Sequence, residues 1–221
     1  ADWWPDFKTH ADYCRRLCWI NSGARHVAHV AIAALADVLP WEAAAVCQQH
    51  QIDFNYIGAD QLADEAIVAN DGIDLAGMHY RVLIIDGIGM PARARHAVAT
   101  LSGFGRVIVW QPPDHLPLPP NAIVARDEAE LINAIDSLAP ADLRCEPGCR
   151  DLRYRHMLRP DGEHWYLLFN EGADPIDTAL NFAVEGQRHA IDPKTGSQTE
   201  LGQVVRLLLP AYEMGVVRIT P

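Results

Sequence analysis

Basic charge is scarce in this chain. Against 29 Asp and Glu stand 18 Lys and Arg, a formal net charge of −11 over 221 residues. That balance argues against nucleic acid or an anionic membrane as partner, because phosphate binding needs clustered Lys and Arg. It suits a neutral ligand such as a carbohydrate. Long apolar runs are also missing: none approaches the ~20 residues of a membrane-spanning helix. No secretory leader is evident, and a cytoplasmic setting is the expectation for this segment. The first residue is Ala1 rather than Met, which reads as a cut or processed start. No CxxC pair occurs, which argues against a structural zinc site. The five cysteines are odd in number, in a chain large enough to hold a core without staples. Cys145 and Cys149 flank Glu146-Pro147-Gly148 and admit a link or a metal clip, with free thiols as the alternative. No cofactor and no resident metal are expected.

The first 140 residues alternate strand and helix. Phe7 to Ile20 reads as an amphipathic helix carrying Tyr13, Leu17 and Ile20 on one stripe, stopped by Asn21-Ser22-Gly23. His26 to Leu35 is a nearly continuous apolar run that suits a strand buried on both faces. Trp41 to His50 follows as a helix, Asp53 to Ile57 as a strand and Ala59 to Val68 as a helix. Arg81 to Asp86 is the clearest strand, with a helix from Ala92 to Leu101. Arg106 to Trp110 and Ala122 to Val124 are further strands, and Asp127 to Ser137 is a last helix. Five strands in this rhythm predict an α/β domain over 1–140, a doubly wound parallel sheet of flavodoxin-like type. Leu138 to Asp151, with Pro140, Pro147 and Gly148, reads as the boundary. Beyond it about six short strands, the first two joined at Pro160-Asp161-Gly162-Glu163, predict a small antiparallel β-sandwich over 150–221.

In an open parallel sheet, ligands bind beyond the carboxyl ends of the strands. That rule selects Gly58, Asp60, Asp86, Gly87 and Gln111 as ligand-binding candidates. Asp86-Gly87-Ile88-Gly89 is the best of them, because two glycines let a backbone approach something closely. The plainer reading is a tight turn in which Asp86 caps nearby amides. Ala92 stands where a dinucleotide fingerprint has its third glycine, but Met90-Pro91 sits where the amides would face pyrophosphate. An amidotransferase elbow would need a Cys after the strand, and Asp86 to Met90 holds none; Cys47 lies mid-helix. His26 and His29, placed on one strand, would face opposite sides and share no metal well. Glu171 and Asp192 are turn residues beside Gly172 and Gly196, and turn geometry accounts for them without glycosidic catalysis. No catalytic residue is assigned. Trp165 alternates with Leu167 and Phe169 as core, and Trp3-Trp4-Pro5 reads as a surface that packs on a neighbouring domain.

Several phrases resemble the C-terminal region of large bacterial glycoside hydrolases. They are Tyr13-Cys14-Arg15-Arg16, Gly23-Ala24-Arg25-His26-Val27 and Met78-His79-Tyr80-Arg81-Val82-Leu83-Ile84-Ile85. More recognisable are Leu168-Phe169-Asn170-Glu171-Gly172, Asp192-Pro193-Lys194-Thr195-Gly196 and Leu209-Pro210-Ala211-Tyr212-Glu213. In α-L-rhamnosidase-like enzymes an amidotransferase-like α/β domain and then a small β-sandwich follow the catalytic barrel, and β-galactosidases with a trimerisation domain share the α/β shape. The resemblance implies a non-catalytic part that buttresses the barrel, shapes its cleft or forms an oligomer interface. Its partner would be the missing upstream catalytic domain. The alternatives are a free-standing carbohydrate-binding or interaction module, and a diverged hydrolase with its site near Asp86.

Overall fold

Short apolar strands set the architecture, and the computed structural model describes it for residues 3–35, 39–86 and 90–221. A single 3-10 turn, Trp4–Asp6, leads into α1 (Phe7–Asn21) and then β1 (Arg25–His26). Next come β2 (Val30–Ala34), α2 (Glu42–Gln49), β3 (Phe54–Gly58) and α3 (Ala59–Asp64). A meander of β4 (Ile67–Ala69), β5 (Gly72–Leu75) and β6 (Met78–Tyr80) precedes β7 (Val82–Asp86). Then follow α4 (Arg95–Gly103), β8 (Val107–Trp110), β9 (Ile123–Ala125) and α5 (Glu128–Leu138). The remainder is all strand: β10 (Leu143–Glu146), β11 (Leu152–Leu158), β12 (His164–Asn170), β13 (Ile176–Phe182), β14 (Gln187–Ile191), β15 (Gln198–Leu201), β16 (Val205–Leu209) and β17 (Met214–Thr220).

Two compact units result. One is Ala28–Ala141; the other joins the described residues up to Val27 with Asp142–Pro221. In the first, the parallel sheet runs β3-β2-β7-β8-β9. Its strands read as apolar runs because both faces are covered. Ala31, Ala33, Leu83, Ile85, Val107 and Val109 pack toward α3 and α4. Val30, Ile32, Val82, Ile84, Ile108 and Trp110 pack toward α2 and α5. Asp127 caps α5 by accepting the Glu130 amide at 2.9 Å.

The second unit pairs a six-stranded antiparallel sheet, β1-β11-β12-β17-β14-β15, with a three-stranded one, β10-β13-β16. Leu143, Leu152, Tyr166, Leu168, Leu180 and Val217 fill the space between them. On the outer face of the larger sheet, α1 lays Ile20 and Leu17 over Trp165, Leu167, Ile191 and Val216. The alternation of β12 therefore serves two cores, Tyr166 and Leu168 inward, Trp165 and Leu167 toward the helix.

The structure corrects the sequence reading in four places. The run His26 to Leu35 is two strands in two units, since β1 pairs antiparallel with β11 while β2 pairs in parallel with β3 and β7. Residues 3–27, expected in the α/β domain, belong with the sandwich, because the apolar stripe of α1 is buried there. The helix expected over Ala59 to Val68 ends at Asp64, and its tail is β4. The expected boundary contains a strand, β10, which pairs with β13.

Candidate functional site

The carboxyl edge of the parallel sheet is where the sequence placed a ligand. Gly58, Asp86 and Gln111 do end, or follow, β3, β7 and β8. Register puts Gly58 beside Ala34 on β2, so two strand spacings, about 10 Å, separate β3 from β7. Each residue has a local duty. Gly58 is the N-cap of α3, its amide donating to Gln61 Oε1 at 3.1 Å. Asp60, in the first turn of α3, meets Arg93 at 3.1 Å on an exposed surface. Gln111 adopts φ +44° and donates its amide to the Ala125 carbonyl at 2.8 Å. Gly87, with Ile88 and Gly89, lies outside the described residues.

Asp86 carries the most physical chemistry of the four described. Its Oδ2 accepts the Ala43 amide in the first turn of α2 at 3.1 Å, joining strand to helix as a cap. Burial raises its carboxyl above the ordinary value; the Ala43 bond opposes this and the charge of Glu42 adds to it. Burial, then the Asp86 charge, pushes the Cys47 thiol up to about 12, so it is no thiolate at neutral pH. A raised carboxyl contributes stability that is complete below the unfolded value of 3.8 and lost as pH rises through the folded one. Asp86→Asn keeps an acceptor for Ala43 and removes the charge. Its unfolding free energy at pH 7 is expected to match or exceed the parent's, with a flatter dependence above pH 3.8. Asp86→Ala loses the cap and about 1 kcal/mol. Urea titrations across pH measure both.

A cavity of about 440 Å³ opens on the α4 side of the same edge, lined by Ile85, Met90, Val98, Val109, Leu116 and Leu118 among others. None of the four described candidates lines it. Its wall is largely apolar, with Arg95 as a polar group beside it.

The sandwich motifs have structural work. Asn170 is fully buried; its Nδ2 donates to the carbonyls of Asp174, Leu209 and Pro210 at 2.8, 3.1 and 3.0 Å. Its Oδ1 accepts the Gly172 amide at 2.9 Å. One side chain thus ties the Asn170-Glu171-Gly172 turn to the Leu209-Pro210 turn. In the second motif Asp192 accepts the Lys194 amide and the Thr195 hydroxyl, each at 2.8 Å. Arg16 on α1 donates to the Pro193 and Lys194 carbonyls at 3.2 and 2.7 Å, seating the helix on that loop. Glu171 pairs with Arg153. Beside this junction a cleft of about 350 Å³ is lined by Trp19, Trp165, Ile191, Pro193, Arg15 and Arg16, among others.

Sequence reasoning missed a polar cluster at one end of the sandwich. Asp142 Oδ1 accepts the Tyr166 hydroxyl at 3.0 Å, and Oδ2 lies 3.0 Å from His156 Nδ1. His156 Nε2 lies 2.8 Å from His164 Nδ1, and the His156 and Tyr166 rings stack at 4.1 Å. His156 is 1% exposed. The available signal was the hairpin: the turn at Pro160–Glu163 sets His156 opposite Tyr166 and Leu158 opposite His164. Cys145 and Cys149 are free thiols. His26 lies in β1 and His29 in the connector before β2, one in each unit. No described helix is long and apolar enough to cross a membrane.

No protein-family model matches the sequence, and no curated protein matches it at a significant level. The likeness lies in the fold. A rhamnosidase from Novosphingobium sp. PP1Y superposes with a TM-score of 0.72 at 17% identity, over 98% of this chain and 25% of that one. The apo exo-carrageenase GH42 from Bacteroides ovatus aligns at a TM-score of 0.47 and 9% identity, over 86% of this chain and 29% of that chain. A GH27 β-L-arabinopyranosidase from Geobacillus stearothermophilus aligns at a TM-score of 0.28 and 8% identity, over 65% of this chain and 58% of that one. These structural neighbours are glycoside hydrolases, and at such identities the rhamnosidase establishes the fold alone. The chain spans about a quarter of the rhamnosidase's length.

Proposed function

We propose that this chain is a non-catalytic C-terminal part of a glycoside hydrolase, supporting an upstream catalytic barrel, its cleft or an oligomer interface. The observation that carries the reading is the likeness to a rhamnosidase over 98% of this chain and only 25% of that one. The strand order β3-β2-β7-β8-β9 becomes 2-1-3-4-5 when the parallel strands are numbered by themselves, which is the flavodoxin-like order. Asp86 and Asp60 are engaged as a cap and a surface ion pair, which gives no support to a diverged hydrolase at that edge.

The surface offered to the barrel is aromatic. Trp3 and Trp4 are 59% and 64% exposed, and Trp4 stacks on Phe7 at 5.2 Å between centroids. A cluster this apolar in water marks an interface. Trp4→Ala is expected to leave the unfolding free energy within about 0.5 kcal/mol of the parent. It should weaken capture of a co-expressed upstream domain by ten-fold or more, the scale of an aromatic anchor. For the activity itself, this chain alone is expected to give no turnover on aryl glycosides, whereas the longer native product hydrolyses them. A native product with the mass of this chain would sink the reading.

A second reading, a carbohydrate-binding module, rests on the cleft at Trp19 and Trp165. Its volume of about 350 Å³ and its ring-lined wall suit one sugar unit. Titration with monosaccharides and oligosaccharides, read by tryptophan fluorescence, tests it. Binding that disappears in Trp19→Ala supports it, and an unchanged spectrum at millimolar sugar removes it.

A further inference from the structure

Asp142 is the first residue after the α/β unit, and its half-buried carboxylate meets two side chains of the sandwich, Tyr166 and His156, the second of which carries the bonds on to His164. With His156 neutral, the bonds assign the protons. The carboxylate only accepts, so Tyr166 donates to Oδ1 and His156 donates from Nδ1 to Oδ2. Neutral His156 then has a bare Nε2, and the 2.8 Å contact requires His164 to donate from Nδ1. His164 is left with its lone pair at Nε2. A first added proton goes to that nitrogen, and every bond of the chain survives. A second proton has to enter at His156 Nε2, where it meets the His164 N–H head-on, cation against cation.

We infer that Asp142, His156 and His164 form an acid-sensitive anchor, which holds the start of the sandwich while the two rings share no more than one extra proton and lets go when they take two. The surroundings favour few protons. Arg25 on β1 bears on His164, and buried Arg188 on β14 bears on Tyr166. Tyr154 on β11 and Phe182 on β13 pack near Tyr166 and bring no charge. Burial first, then His156, lowers the basicity of His164, with Asp142 opposing. A folded value below the unfolded 6.5 means that stability is complete above pH 6.5 and is lost as pH falls through the folded value.

The anchor's release is read at Arg144, an exposed residue in β10 two positions beyond Asp142. Trypsin cleavage after Arg144 is expected to be slow at pH 7.5. Corrected for trypsin's own pH dependence, it should quicken below pH 6.5 by up to about ten-fold per pH unit for each proton taken up. His164→Gln keeps a donor for His156 and does not titrate there, so its corrected profile is expected to be flatter by one proton. Nitrogen-15 spectra of the parent at pH 7.5 are expected to show both rings neutral with the proton on Nδ1, a readout that needs no variant. Equal pH slopes in parent and His164→Gln, or a His164 proton on Nε2 at pH 7.5, would overturn the inference.

Discussion

Asn170→Ala is expected to lower the unfolding free energy of the sandwich unit by about 4 kcal/mol. The side chain has two amide hydrogens for three carbonyls, so one is shared, and its oxygen takes the Gly172 amide. Truncation leaves these groups without the partner that reaches them, each at about 1–3 kcal/mol where water cannot enter. Part of that cost is recovered where the turn admits solvent. The informative comparison is Asn170→Asp. A carboxylate has nearly the same shape but only accepts, and it would face three carbonyl oxygens. It is expected to cost at least as much as alanine at pH 7. Urea midpoints with unchanged slope check both. An aspartate variant within 1 kcal/mol of the parent would show that packing, not donation, holds the turns together.

The second large effect is expected at Gly72, the first residue of β5. Its φ of +155° is strained for any other residue, and an added Cβ would stand 2.0 Å from the Tyr80 carbonyl oxygen. The obstacle is backbone, so no rotamer change relieves it. Gly72→Ala is expected to cost about 3 kcal/mol or more, by moving β5 away from β6. Hydrogen exchange measures it locally: amides of residues 67–80 should lose protection first, while the parallel strands β7 and β8 keep theirs until global unfolding. Protection in the meander equal to the parent's would refute the close approach.

What the sequence revealed and what it hid follow from how local each signal is. Val82–Asp86 and Val107–Trp110 were legible as strands because burial on both faces makes them unbroken apolar runs. The hairpin at Pro160–Glu163 was legible from its turn chemistry. Ile67-Val68-Ala69 was not, since three apolar residues following a helix read as its continuation until Gly72 is seen to force a turn. The split of His26 to Leu35 had no local mark: Val27 donates to the His156 carbonyl, far off in the chain. The Asp142 cluster draws on residues 14 and 24 positions apart, and no spacing rule joins an aspartate before one strand to a histidine and a tyrosine on the next two. Among the chosen site residues, the plainer account of Asp86 was a cap on the amides of its own turn, whereas its carboxylate accepts the Ala43 amide, 43 positions back in the chain, a partner with no local mark.

The position of β17 has a consequence for synthesis. In the larger sandwich sheet it lies between β12 and β14, yet it is made after both. Helix α1 and β1, made before them, wait for partners that follow Ala28–Ala141 in the chain, a segment inserted within a host. The guest has all its strands once Ala141 has left the ribosome, and it can fold on the growing chain. The host cannot close its sheet until Thr220 has emerged. Until then Tyr166 and Leu168 have no neighbouring strand on one side, and that interval is when a nascent chain is most exposed to aggregation.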